Sequence, residues 1–306
     1  MHEAYDVSAD RAQAPEALLD RSRMSDARTC TVCPHECRLR EGSFGVCGTR
    51  TVREGRIVSL SYGQATALAL DPIEKKSLAR FHPGSLVLSY GSFGCNLRCP
   101  FCQNSDISMA DAEGRVASAA RFVSPEELVE RALDLRERGT IGIAYTYNEP
   151  LIAPEYLMDC ARLAHEAGLV NVAVTNGYVS SDVWADALSH LDALNIDVKC
   201  YSEEGYRLLG APGGLAVVKR SIEAAAAAGV HVEVTTLVVP GLSDDEALFR
   251  EECAWLSEID PEIPLHLSRF FPAYRAYREK PTDLAVLERF RSIAEASLAH
   301  VYLGNV

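Results

Sequence analysis

From residue 85 onward the chain alternates between two patterns. Short apolar runs stand at 86–90, 141–147, 170–175, 193–198, 230–239, 265–269 and 300–303, and amphipathic stretches of helical period separate them. Runs that are apolar throughout suit strands covered on both faces, which is how parallel sheets are buried. Strand–helix alternation over some six repeats predicts an α/β fold, closed as a partial or full (β/α) barrel, with an open doubly wound sheet as the other arrangement. Ser124-Pro125-Glu126-Glu127 is a capping box with proline at the first helical position, so a helix starts there. The alanine-rich stretch 224–228 reads as plain helix. Upstream the pattern changes. Residues 51–58 alternate around Glu54-Gly55 and predict a hairpin. Residues 1–24 are acidic and alanine-rich, with one helical turn at 14–19 and no apolar stretch of the signal-peptide kind. The expected division is a flexible tail (1–24), a small module containing the hairpin (25–80) and a barrel domain (81–306).

In a barrel, chemistry collects just past the C-terminal ends of the strands. The first run leads directly into a loop carrying Cys95, Cys99 and Cys102 at C-x3-C-x2-C spacing. A loop this short turns its thiols toward one point, and Gly91 and Gly94 permit the tight turns. Clustered thiolates select soft metals. A structural zinc site closes on four ligands, and an ordinary cubane cluster on four cysteines. Three thiolates would hold three irons and leave the fourth open to a small molecule; a zinc knuckle borrowing a ligand from elsewhere is the blander alternative. Ahead of this lies a second group, Cys30, Cys33, Cys37 and Cys47, four thiols within 18 residues. Four is the closing number for zinc or iron–sulfur, with His35 a neighbour rather than a ligand, and with disulfides of an exported domain as the other reading. A module of this size needs such a staple to fold.

Other strand ends are also polar. The second run ends Tyr145-Thr146-Tyr147-Asn148-Glu149-Pro150, the third Thr175-Asn176-Gly177 and the fourth Asp197-Val198-Lys199. Alternation puts Asp197 and Lys199 on one strand face, where they can pair with each other or with a ligand. Cys200 next to them is either a small buried hydrophobe or a thiol hydrogen-atom donor at the lip. Cys160 and Cys253 fall in helical stretches and belong to the core. The sixth run carries His266, Ser268 and Arg269, and Arg269 can meet an anionic group or close a rim salt bridge. Asn305 is a weaker candidate near the last strand.

Composition narrows the classes. The 306 residues are 48% hydrophobic, enough for a substantial core, and the net charge of −13 argues against a nucleic-acid surface. Seven of the ten cysteines lie between Cys30 and Cys102 at metal-like spacings, which points to a reduced, cytoplasmic protein rather than an exported disulfide scaffold. No run of 18 apolar residues predicts a membrane span, and no glycine-rich nucleotide fingerprint follows any strand.

The run from Cys95 to Cys102 resembles the C-x3-C-x-aromatic-C signature of radical S-adenosylmethionine (radical SAM) enzymes, with Phe101 in the aromatic slot. The resemblance implies a [4Fe–4S] cluster on Cys95, Cys99 and Cys102, whose open iron is chelated by the amino and carboxylate groups of S-adenosylmethionine. It also implies reductive cleavage of that cofactor to a 5′-deoxyadenosyl radical. Cys33-Pro34-His35-Glu36-Cys37, Glu41-Gly42, Cys47-Gly48, residues 71–76 and Phe81-His82-Pro83-Gly84 resemble one group within the superfamily. These are the AmmeMemoRadiSam-system enzymes, related to pyruvate formate-lyase activating enzymes, and the likeness extends over most of residues 28–306. Tyr147-Asn148-Glu149-Pro150 is similar to the Gly-Gly-Glu-Pro motif that contacts the amino group of S-adenosylmethionine, which implies that role for Glu149, beside Asn148. Thr175 and Asn176 match an Asp-Thr-Asn-Gly motif in which Val174 replaces the aspartate, and Asp197 and Lys199 match Asp-x-Lys; both imply cofactor contacts. Arg269 is the candidate for the cofactor carboxylate, and Phe271 stands near the point where activating enzymes place a histidine. The implied activity is that of an oxidoreductase- or lyase-type enzyme abstracting hydrogen from a protein or small molecule, with activation of a glycyl radical enzyme as the alternative. From a different class, an iron–sulfur electron carrier fits the same cysteines. The implied partners are a low-potential electron donor of flavodoxin or ferredoxin type and, in some readings, a protein substrate.

Overall fold

The structure is a computed structural model describing residues 27–306; the expected helical turn at 14–19 lies outside the described residues. Eight strands form one sheet in simple sequence order: β1 (Ala67–Pro72), β2 (Leu86–Gly91), β3 (Thr140–Tyr145), β4 (Val170–Thr175), β5 (Ala193–Val198), β6 (His231–Val238), β7 (Leu265–Arg269) and β8 (Val301–Gly304). β1 runs antiparallel to β2, and every later pairing is parallel. Between the strands lie α1 (Pro125–Asp134), α2 (Pro154–Glu166), α3 (Ser181–Leu188), α4 (Glu203–Leu208), α5 (Gly214–Ala227), α6 (Glu246–Ile259) and α7 (Leu284–Ala294). As the capping box implied, Ser124 Oγ accepts the Glu127 amide at the start of α1. Among the described residues no pairing joins β8 to β1, so the sheet is a partial barrel.

The two faces of the sheet separate by strict alternation. Tyr90, Ile143, Tyr145, Leu194, Ile196, Val232, Val234 and Leu267 face outward into the main core, where the helices cover them, as with Cys160 of α2 and Cys253 of α6. The inward face is divided. At its N-terminal end Val87, Ala144, Val172 and Ala193 pack on Ile73 and Leu78, all fully buried, so the segment between β1 and β2 stoppers the lumen. Polar bonds hold that stopper: Asn195 Nδ2 donates to the Ser77 carbonyl at 3.0 Å, and Glu233 accepts the amides of Ala79 and Arg80. Burial works against ionisation of Glu233. The bonds from His231, His266 and those amides outweigh it and hold the carboxyl down to about 2. Further toward the C-terminal end the lumen is lined by Asp197, Thr235, Leu237 and Ser268.

The division expected at residue 80 does not follow the sheet. Ala67–Pro72 is a strand of the barrel and 73–81 is its stopper, because β1 pairs with β2 along its whole length. The Cys-rich module proper is residues 28–59: Arg28–Thr29 pairs with Arg38–Leu39, and Arg50–Arg53 pairs with Arg56–Ser59 as the expected hairpin. Among the described residues no helix is long and apolar enough to cross a membrane.

One buried group faces away from the lumen. Glu252 of α6 is 1% exposed and accepts a bond from Thr236 Oγ1, and burial pushes its carboxyl up from 4.5 to about 8. A carboxyl whose folded value is raised binds its proton more tightly in the native state. Its contribution is therefore fully present below pH 4.5 and is lost as pH rises through about 8. The stability of the parent relative to Glu252→Gln should fall by a few kcal/mol across that window and level off above it, read by urea denaturation at a series of pH values. A difference that does not vary with pH would rule this out.

Candidate radical cofactor site

The loop after β2 is held from every side before any ligand is considered. Asn148, just past β3, accepts the Ser92 amide on Oδ1 at 2.9 Å and donates from Nδ2 to the Gly94 carbonyl at 3.1 Å. The Arg98 guanidinium donates to the Cys95 and Val46 carbonyls, and the Arg98 amide donates to the Leu209 carbonyl. The Pro100 carbonyl accepts the amides of Arg275 and Ala276, and Phe101 is buried edge-on against Phe270. Gly94 has φ +87°, and a Cβ there would stand 2.4 Å from Thr49 Cγ2 and 2.6 Å from the Cys47 carbonyl oxygen. Only glycine fits, because both the left-handed backbone and the packing exclude a side chain.

Cys95, Cys99 and Cys102 line one pocket together with Phe101, Asn148, Glu149, Thr175, Asn176, Asp197 and Lys199. Ser268 and Asn305 complete its far side, so one cavity collects the C-terminal ends of strands from β2 to β8. Cys95 Sγ accepts the Leu97 amide at 3.4 Å and the Asn176 side-chain amide at 3.7 Å. Burial raises the thiol pKa of Cys95, and Glu149 adds to it. Burial also lifts Cys99, to about 11, against the opposing field of Lys199. Loading this site therefore releases protons and places negative charge beside the Lys199 ammonium, which is itself paired with Asp197 at 2.8 Å.

Glu149 permits a full acceptor count. Oε1 accepts the Leu151 amide and the Thr175 hydroxyl, and Oε2 accepts the Asn176 amide. A carboxylate has about four acceptor positions, so one on Oε2 is left for a donor in the pocket. Burial pushes its carboxyl up to about 7 despite these three bonds. A cation delivered to the free position would fix it as carboxylate.

Tyr147 stands where the sequence motif has glycine, yet it keeps a glycine-like φ of +74°. Its hydroxyl donates to Asp71 Oδ2 at 2.6 Å, and its ring lies 4.6 Å from the buried Lys76 ammonium, inside the lumen. The ring also occupies the space over Gly91, where a Cβ would come within 2.7 Å of Cδ2. The left-handed backbone that glycine favours is thus kept with a side chain added.

Two expected residues do not reach the pocket. Arg269 donates Nε to the Thr282 carbonyl at 2.8 Å and stacks on Phe271, because on β7 the inward positions are His266 and Ser268. Cys200 is fully buried against α4, with Sγ directed to the Ser202 carbonyl, for the same reason of parity after Lys199. Conversely, Asn96 was not singled out in the sequence. Its Nδ2 donates to the Tyr178 carbonyl at 2.6 Å and its Oδ1 accepts from Asn176, so it ties the cysteine loop to the end of β4. Its place between Cys95 and Cys99 was the available signal.

All ten cysteines are free thiols, including the four of the N-terminal module, so the disulfide reading has no support. The model of the Radical SAM superfamily matches residues 90–251, just over half of the chain. This chain belongs to the radical SAM superfamily. Its cofactors are a [4Fe–4S] cluster and S-adenosylmethionine. An uncharacterized protein of Methanocaldococcus jannaschii is 38% identical over 280 residues, 90% of this chain and 81% of that one. A pyruvate formate-lyase-activating enzyme of Clostridium pasteurianum is 29% identical over 166 residues, 52% of this chain and 64% of that one. Among solved structures, a radical SAM methyltransferase of Sphaerobacter thermophilus aligns with a TM-score of 0.53 at 16% identity, over 73% of this chain and 67% of that one; it shares the fold.

The packing at Gly94 gives a direct test of how the loop is held. Gly94→Ala should cost at least about 2 kcal/mol through combined strain and overpacking, and should lower iron retained after anaerobic reconstitution. Parent-like stability and iron content would show that the loop is not wedged against the module.

Proposed function

We propose that this protein uses Cys95, Cys99 and Cys102 to hold the cluster. On this reading Glu149 binds the amino group of S-adenosylmethionine, and the enzyme abstracts a hydrogen atom from a substrate admitted at the mouth of the barrel. The observation that carries this reading is the single pocket in which three thiols face a buried carboxylate with one acceptor position to spare. When bound, the two cofactors supply one-electron cleavage of a sulfonium C–S bond and a 5′-deoxyadenosyl radical. The chain's own residues position and enclose. Asn148, Asn96 and Arg98 fix the cysteine loop, Asn176 donates to Cys95 Sγ, and Lys199 sets a positive charge against the thiolates. Thr175 holds the Glu149 carboxylate in place. Arg269 and Cys200 have no part in this reading, because neither lines the pocket.

Radical SAM enzymes take their electrons from a reductant, and a low-potential donor of flavodoxin or ferredoxin type fits the need. The substrate is a protein or a small molecule. The likeness to the Clostridium activating enzyme supports a second reading, activation of a glycyl radical enzyme, over 52% of this chain.

Anaerobically reconstituted protein, given dithionite and S-adenosylmethionine, should release 5′-deoxyadenosine, and Cys99→Ala should release none. Glu149→Gln removes a charge-assisted bond of about 1.5–3 kcal/mol and should weaken S-adenosylmethionine binding roughly 10- to 100-fold by calorimetry. Absence of 5′-deoxyadenosine from a fully loaded parent would leave the electron-carrier reading in its place.

A further inference from the structure

The N-terminal module gathers four thiols next to the cysteine loop of the barrel. Cys30 and Cys37 sit side by side at the end of a two-stranded ladder, with the Cys30 amide bonded to the Cys37 carbonyl at 2.9 Å. An added Cβ at Gly45 would lie 3.5 Å from Cys37 Sγ and 3.7 Å from Cys47 Sγ, so both sulfurs border the same glycine. Cys33 is within electrostatic reach of the other three. Backbone and hydroxyl groups already address the sulfurs: the Val46 amide donates to Cys37 Sγ at 3.4 Å, and Thr49 Oγ1 lies 3.5 Å from Cys47 Sγ.

One observation favours an anionic cluster at these thiols. Arg50 is 5% exposed and within electrostatic reach of Cys30 and Cys47. Its terminal nitrogens bind Glu155, but its Nε has no partner. A buried guanidinium with a donor to spare, near two of the four thiols, suits a delocalised anionic cluster with acceptor sulfides.

The two cysteine groups also touch. The Cys47 carbonyl packs on Gly94, the residue before Cys95, and with the Thr49 methyl it leaves no room for a side chain there. The His35 ring Nε2 donates to the carbonyl of Asn96, the residue after Cys95, at 2.8 Å. The path from a ligand of one group to a ligand of the other therefore crosses a single van der Waals contact.

We propose that Cys30, Cys33, Cys37 and Cys47 hold a second iron–sulfur cluster, closed by four thiolates, that exchanges single electrons with the open site at Cys95, Cys99 and Cys102. The exchange rests on the functional reading of that open site. In the step one electron leaves the second cluster, which is oxidised by one unit, and enters the first, which is reduced by one; no bond or proton changes place. An external low-potential one-electron donor, dithionite in the test, refills the second cluster.

Iron, zinc and sulfide are counted after anaerobic reconstitution of the parent and of the Cys95→Ala/Cys99→Ala/Cys102→Ala variant. About eight irons per chain in the parent and about four in the variant are expected, with a dithionite-reduced EPR signal in both. One zinc and no iron in the variant overturns the cluster, whether or not the parent cleaves S-adenosylmethionine. The fully reduced parent should show a spectrum broadened by spin–spin coupling; a simple sum of the signals of that variant and of Cys30→Ala/Cys33→Ala overturns the contact. Should the latter fail to fold, a two-equivalent burst takes its place. Parent reduced, freed of dithionite and mixed with S-adenosylmethionine should then yield about two 5′-deoxyadenosines per chain with loss of both signals. One equivalent, with the second signal intact, overturns the exchange. A parent with both clusters that makes no 5′-deoxyadenosine defeats the functional reading, and the exchange with it, while the metal assignment stands.

Discussion

The site depends on one buried carboxylate. Glu149 joins the end of β3 to the end of β4 by accepting from Thr175 and Asn176, and Asn176 passes that constraint on to Asn96 and to Cys95 Sγ. Isolated, a buried carboxylate would be costly; three donors make it tolerable and leave it only partly satisfied. The group that orders the cysteine loop is thus also the one that keeps an acceptor position open in the pocket.

Much of this was legible in the chain. The seven apolar runs became β2 to β8 with ends displaced by at most two residues, because a parallel sheet covered on both faces leaves a plain signature. The cysteine triad was legible because its spacing is rare and its position after a strand is informative. The errors came from parity. On β5 and β7 the lumen takes alternate residues, so Asp197, Lys199 and Ser268 face inward while Cys200 and Arg269 do not. A run read as uniformly apolar conceals that alternation until its register is known. The role of residues 67–81 was also hidden, since an antiparallel first strand and a lumen stopper leave no periodic mark in so short a segment.

Tyr147 shows how a motif can lose its residues and keep its geometry. A positive φ at a tyrosine is strained by about 1–3 kcal/mol, and such strain persists only where the surroundings over-determine it. Here the hydroxyl bond to Asp71, the Lys76 ammonium over the ring and the bare backbone of Gly91 together supply that determination. Asp71 belongs to β1 and Lys76 to the stopper, so the backbone beside the cofactor pocket is braced from the floor of the barrel.

That floor has a consequence for traffic. With Ile73, Leu78 and the inward residues of four strands sealing one end, the lumen is closed at its floor, and the Cys-rich module packs on the cysteine loop at the other end. Traffic to the pocket is confined to the upper end and to the flank where, among the described residues, β8 and β1 stay unpaired.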